Sequence, residues 1–236
     1  MKIPILFYHK INRIHPDAKV ENLYVAPGDF YNQMRYLKWR GYTTISLDEV
    51  LNGISLKGKL PKRPVVLTFD DGYEDNYTYA FPILKKFGFT ATVFLITKDI
   101  RGLSGWKDSE ETIQEPLLSW DHIKEMADYG IDFQSHTHTH PSLPKLDAQK
   151  IKEEIVVSKE IMEKQLQKKV NFLCYPYGHF NSQVIQIVKE NGYKGALTTR
   201  RGLVKQGDNP YRLKRIGIKD KHGLLRFIRY IEFKYR

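Results

Sequence analysis

Residues 65–72, Val65-Val66-Leu67-Thr68-Phe69-Asp70-Asp71-Gly72, climb through β-formers to two adjacent carboxylates and stop at a glycine. The apolar run predicts a buried strand, and Asp-Asp-Gly predicts the loop at its carboxyl end. Neighbouring carboxylates at a strand end repel one another unless a cation or a partner shares their charge. One of the two is therefore expected to bind a metal, leaving the other for chemistry.

Upstream of that stretch, Ile3–Tyr8 is an apolar run that delivers His9 to its carboxyl end. Residues 11–26 read as a loop. A helix is predicted over Phe30–Trp39, where Phe30, Met34 and Leu37 have helical spacing, followed by a short strand over Tyr42–Ile45 and a short helix capped by Ser46. Downstream, a helix is predicted over Asn76–Phe87 and a strand over Thr90–Thr97. A long loop over 98–117 holds Trp106, and loops of that length in a compact domain are often functional.

Ser119 caps a helix through Tyr129, with Trp120 at its start reading as core. Ile131–Ser135 is a strand running into His136. Asp147 caps a long amphipathic helix, Asn171–Tyr175 is a strand closed by Pro176-Tyr177-Gly178, and Ser182–Glu190 is a helix. Gly195–Thr199 and Tyr211–Ile218 are the last strands, and Leu224–Phe233 is the last helix.

Strand then helix recurs about seven times, which predicts a parallel sheet or closed barrel in a single domain over 1–236. In such barrels the site lies at the carboxyl ends of the strands. His9, Asp70, Asp71, His136 and the 175–178 turn all follow strands, so they are expected on one rim. His136-Thr137-His138-Thr139-His140 separates its outer histidines by four positions. One helical turn or a compact turn would put His136 and His140 on one side and send His138 elsewhere. Two imidazoles and a carboxylate form a common ligand set for a catalytic divalent metal; zinc ranks first, with cobalt, nickel or iron able to occupy the same donors.

The 236 residues carry 38 Lys+Arg against 27 Asp+Glu, a net charge of +11, and are 41% hydrophobic. The basic balance favours anionic contacts, among them a membrane surface, but no nucleic-acid module is recognisable and no nucleic-acid partner is expected. A single cysteine, Cys174, excludes an internal disulfide. No stretch approaches the length of a membrane span, and the first apolar run is too short for a signal peptide. The expected location is the cytoplasm or the cytoplasmic membrane face. The basic, apolar segment 224–236 is a candidate for peripheral contact with anionic lipid.

Thr68-Phe69-Asp70-Asp71-Gly72, followed by Ser135-His136-Thr137-His138-Thr139-His140-Pro141-Ser142-Leu143, resembles the first two motifs of the polysaccharide deacetylases of carbohydrate esterase family four. Cys174-Tyr175-Pro176-Tyr177-Gly178 resembles the third, and the order matches over residues 3–220. The resemblance implies a distorted (β/α)7 barrel and metal-dependent removal of N- or O-acetyl groups from sugars. Leu6-Phe7-Tyr8-His9-Lys10-Ile11 and Tyr211-Arg212-Leu213-Lys214-Arg215-Ile216 are similar to the branch acting on poly-N-acetylglucosamine and related exopolysaccharides.

Carried over by motif, Asp71, His136 and His140 ligate the metal and Asp70 is the general base. The backbone N–H of Tyr177 helps hold the oxyanion. The implied substrate is an N-acetylated glycan or lipid-linked sugar, with Tyr73, Trp106 and Tyr177 as stacking groups.

The chain departs from the family twice. Cys174 stands where the third motif begins with an arginine, and Arg215 is the candidate to supply that guanidinium. The family's late Leu-x-x-His motif, whose histidine protonates the leaving amine, has no match; His222 lies outside the pattern, and His9 ranks ahead of His138 and His179 as the acid. Two other functions fit the same residues: a catalytically impaired glycan-binding protein, and an amidohydrolase of a small non-sugar amide.

Overall fold

The alternation of strand and helix closes on itself. The computed structural model describes residues 2–55, 58–106, 110, 113–219 and 223–234; His222 lies outside them. In chain order the elements are β1 (Lys2–Ile3), β2 (Ile5–Tyr8), α1 (Pro27–Trp39), β3 (Thr43–Thr44), α2 (Leu47–Ile54), β4 (Pro64–Phe69), α3 (Phe81–Phe87) and β5 (Thr92–Leu95). They continue with α4 (Trp120–Tyr129), β6 (Asp132–Ser135), α5 (Ala148–Leu166), β7 (Phe172–Cys174), α6 (Ser182–Glu190), β8 (Gly195–Arg201), β9 (Val204–Lys205), β10 (Leu213–Gly217) and α7 (Gly223–Arg229).

β2, β10, β8, β7, β6, β5 and β4 pair in parallel in that order, and β2 pairs with β4 to close the ring, with Ile5–Tyr8 in register with Val66–Phe69. This is the expected (β/α)7 barrel, with β3 added beside β4. Successive side chains on a strand face opposite ways. Val66 accordingly packs with Ile5, Phe94, Phe172, Cys174, Leu197 and Leu213 inside the barrel, while Val65, Leu67 and Phe69 pack under the helices. Leu47 and Val50 of α2, with Ile3 and Val204 of the antiparallel β1–β9 pair, join the interior set. They plug the amino-terminal ends of the strands, which leaves the carboxyl-terminal ends open for a site.

Some boundaries differ from expectation for local reasons. Ile3–Tyr8 is split at Pro4, which has no N–H to donate, although its carbonyl accepts from Val66 N. The expected helix over Asn76–Phe87 opens as a π-turn, Asn76–Ala80. There the Phe81 N–H reaches back to the Asn76 carbonyl, and Pro82 supplies no competing donor. The last strand is shortened because Pro210–Arg212 forms a 3-10 turn before β10.

The final segment is α7 followed by a π-turn over Tyr230–Lys234. Phe227, Tyr230 and Ile231 turn inward, with Phe227 edge-on to Tyr36 of α1, while Leu225 and Phe233 face outward. Among the described residues, no helix is long and apolar enough to cross a membrane.

Glu232 staples this terminus. Its Oε1 accepts from Tyr36 OH (3.2 Å), Arg40 Nε (3.3 Å), Tyr42 OH (3.3 Å) and Arg63 Nη1 (3.0 Å). Burial would raise the carboxyl's pKa, but the Arg40 hydrogen bond and the Arg63 and Arg40 charges hold it below the ordinary value. Its stabilisation is therefore complete above the unfolded pKa of about 4.3 and is lost as pH falls through the lower folded value. Glu232→Gln is expected to lose about 1–3 kcal/mol in urea unfolding at pH 7, with the gap to wild type closing in acid. A pH-independent gap would contradict an ionic staple.

Candidate active site at the carboxyl ends of the strands

Five of the candidate residues leave the barrel at the same rim. Asp70 and Asp71 follow β4, His136 follows β6, His9 follows β2, and Tyr177 lies in the turn after β7. The rim encloses a cavity of about 350 Å³, lined among others by His9, Asp70, Asp71, His136, His140 and Tyr177. Asp71 is turned into position by a left-handed backbone (φ 74°), and Gly72 follows with φ 76°, where a Cβ would stand 2.8 Å from Leu95. The His136–His140 spacing is met by a compact turn and not by a helix. Thr137 (φ 71°) and His140 (φ 59°) both take left-handed conformations in it.

Three donors converge. Asp71 Oδ1 lies 3.3 Å from His136 Nε2 and 3.5 Å from His140 Nε2, and the two imidazole nitrogens are 3.3 Å apart. Donors about 2.1 Å from one ion in a tetrahedral array stand about 3.4 Å apart, so the spacing fits a zinc-sized cation. All three residues are at most 6% exposed.

The opposite ring nitrogens are already engaged, His136 Nδ1 with the Cys174 carbonyl (2.8 Å) and His140 Nδ1 with Tyr177 OH (3.1 Å). That arrangement aims both Nε2 atoms at the shared point. Burial opposes a charge on His136, yet its Cys174 and Asp71 contacts raise its pKa, whereas burial and the neighbouring His136 push His140 down to about 3. Burial also works against the Asp71 charge, but the His136 hydrogen bond and the nearby imidazoles hold that carboxyl well below its usual range. Metal ligation requires the carboxylate ionised and the imidazoles neutral at the ligating nitrogens.

Asp70 meets a different partner. Arg215 on β10 projects into the barrel interior over the Phe7 ring (4.3 Å to its centroid) and is 0% exposed. Its Nη1 and Nη2 grip Asp70 Oδ1 and Oδ2, each at 2.7 Å. Its remaining donors reach Thr198 O (2.9 Å), Thr68 Oγ1 (3.2 Å) and Cys174 Sγ (3.1 Å). A guanidinium with every edge occupied fixes the carboxylate plane. Burial alone would raise the Asp70 pKa; the Arg215 charge and hydrogen bonds reverse this and keep it ionised. Burial raises the Cys174 thiol, which is no nucleophile here.

The remaining candidates separate. His9 is half-buried in the cavity wall; burial lowers its pKa while the Asp71 and Asp70 charges oppose that shift. His179 is exposed at the cavity and contacts Ser142 Oγ (3.0 Å). His138 turns away to Thr97 Oγ1 (2.9 Å). Trp106 is half-buried beside His140 (4.8 Å between ring centroids), its indole N–H donating to Asp99. Tyr73 borders the cavity but is only 2% exposed, edge-on to Trp106 and beneath Lys10 Nζ, so it lacks the open face expected of a stacking group. Trp120 packs against the core, as its sequence position implies.

Tyr177 takes a left-handed conformation (φ 58°) ahead of Gly178 (φ 73°), where a Cβ would overlap the Thr199 side chain. The sequence left unmarked Thr68, which braces Arg215, and the buried Lys10, which is ion-paired with Glu115 and bonded to Tyr24 OH (3.0 Å). Thr68 had one signal, its inward register with Val66 and Asp70; the Lys10 pairing is long-range and has none.

The polysaccharide deacetylase family model matches residues 57–196. A poly-β-1,6-N-acetyl-D-glucosamine N-deacetylase of Staphylococcus epidermidis is 32% identical over 89% of this chain and 77% of its own length. The deacetylase PplD of Streptococcus pyogenes, solved in complex with acetate, is 32% identical, with a TM-score of 0.87 over 98% of this chain and 99% of that one. IcaB from Ammonifex degensii, at 22% identity, shares the fold with a TM-score of 0.82 over 98% of this chain and 97% of that one.

Proposed function

The chain belongs to the polysaccharide deacetylase family, and from that membership we propose that it is a metal-dependent N-deacetylase of N-acetylglucosamine units in an exopolysaccharide or its lipid-linked precursor. The observation that carries this is the adjacency of two differently wired carboxylates: Asp71 among imidazole donors, Asp70 clamped by a buried guanidinium. The staphylococcal relative's named substrate and the acetate bound by the streptococcal relative support the same chemistry.

Asp71, His136 and His140 would hold the cation, with zinc ranked ahead of cobalt, nickel and iron. When bound, it supplies Lewis acidity, acidifying water to a pKa of roughly 7 and polarising the acetyl carbonyl. Asp70 then accepts the proton of the attacking water while Arg215 holds its plane. The water oxygen bonds to the acetyl carbon, the C–N bond breaks, and acetate and a free amine leave. The Tyr177 backbone N–H faces the oxyanion in this scheme.

His9, half-buried in the cavity wall, gives the leaving nitrogen its proton in this scheme; burial lowers its pKa, so the protonated fraction that can act falls as pH rises. His9→Gln is expected to lower kcat about 100-fold and to remove the alkaline limb of its pH profile. An unchanged profile would exclude His9 as the acid.

The substrate class is tested by acetate release from β-1,6-linked N-acetylglucosamine oligomers, compared with small non-sugar amides, using metal-loaded protein. Release from the oligomers alone supports the proposal. Release from small amides alone, or from neither, contradicts it.

A further inference from the structure

The turn carrying His136 and His140 is gripped from outside by one helix. Left-handed backbone at Thr137 and His140 is disfavoured for residues with a Cβ, so surrounding contacts must impose it. Thr137 Oγ1 closes the turn locally by accepting the His140 N–H at 3.0 Å. The segment after β5 holds it too, with the Lys98 N–H donating to the His138 carbonyl (3.0 Å), and α5 grips the opposite groups. Glu154 Oε2 accepts the N–H groups of His138 (2.9 Å) and Thr139 (2.8 Å), and its Oε1 accepts the Thr139 hydroxyl (2.5 Å). One helical turn further on, the fully buried Ser158 lies 2.8 Å from Ser135 Oγ, which accepts the Thr137 N–H (3.1 Å).

We propose that Glu154 is a positioning residue of the metal site, its carboxylate fixing the backbone between the two imidazole ligands and thereby setting metal affinity. The proposal rests on reading Asp71, His136 and His140 as the ligands. Glu154 is not among the donors that converge there. It acts through the two N–H groups between them, which its carboxylate holds with charge-assisted hydrogen bonds. Without that carboxylate the turn relaxes, and the free energy of restoring it must come from metal binding.

The test is the affinity of chelator-stripped protein for Zn2+, read by competition with a chromophoric chelator, together with the visible spectrum of the Co2+ form. Glu154→Ala is expected to bind Zn2+ about 10–100-fold more weakly and to alter the Co2+ bands. Glu154→Gln, which keeps an acceptor oxygen, is expected to recover most of the affinity, and carries the measurement with a loss of about 3–10-fold if the alanine variant does not fold. Glu153→Ala, at an exposed neighbour that accepts from Gln149 of the same helix, is the unchanged control.

Affinity and spectrum indistinguishable from wild type, even with a lowered melting temperature, would overturn the proposal and leave the ligand triad standing. Failure of the wild type itself to bind Zn2+ would overturn both.

Discussion

Arg215→Ala is expected to destabilise the protein by about 3–5 kcal/mol and to lower deacetylase turnover at least 100-fold. Removing the guanidinium leaves Asp70, 2% exposed, without its cation in the barrel, and it also takes a donor from Thr68 Oγ1, Thr198 O and Cys174 Sγ. Much of the stability loss comes from the abandoned carboxylate, not from the missing contact. Combining Arg215→Ala with Asp70→Asn should therefore be less destabilising than the sum of the two single changes, with a coupling of about 1–3 kcal/mol in urea unfolding. Full turnover in Arg215→Ala would exclude the assigned role for the guanidinium. Strict additivity would show that the pair is not coupled.

Asp70→Asn separates the proposed proton acceptor from the proposed metal site. The amide is nearly isosteric and retains one acceptor oxygen for Arg215, but it cannot take the proton of the attacking water. The expected result is a fall in kcat of about 100- to 10,000-fold with KM little changed. Metal content should equal that of wild type, because Asp71, His136 and His140 form one converging set of donors, and Asp70, which also lies near His136 and Cys174, is held at both oxygens by Arg215. Loss of metal together with activity would mean that Asp70 is itself a ligand.

The parts of this site that could be read from sequence are those whose chemistry is local. Asp70-Asp71-Gly72 and the His136–His140 spacing each lie within a few residues, and their positions after apolar runs already put them on one rim. Arg215 was reachable only as a candidate. Its inward direction follows from alternation along β10, where Leu213 packs in the barrel interior and Ile216 packs beneath the helices. That register is unknown until neighbouring strands are paired.

Glu154 could not be found that way. It is one of several charged residues on an amphipathic helix, and its partners are backbone N–H groups of another segment. The two-residue strands β1 and β9 carry no periodicity to detect. The depth at which Tyr73 sits in the cavity wall was not legible either, because its neighbours Lys10 and Trp106 are distant in sequence from each other.

Acetate release followed while Zn2+ is titrated into chelator-stripped protein joins the metal, the base and the substrate in one measurement. With N-acetylglucosamine oligomers, activity should rise from near zero and break at about one equivalent of metal for the wild type, and stay near zero throughout for Asp70→Asn. Undiminished acetate release from stripped wild-type protein, or equal release by Asp70→Asn, would contradict the division of labour between Asp71 and Asp70.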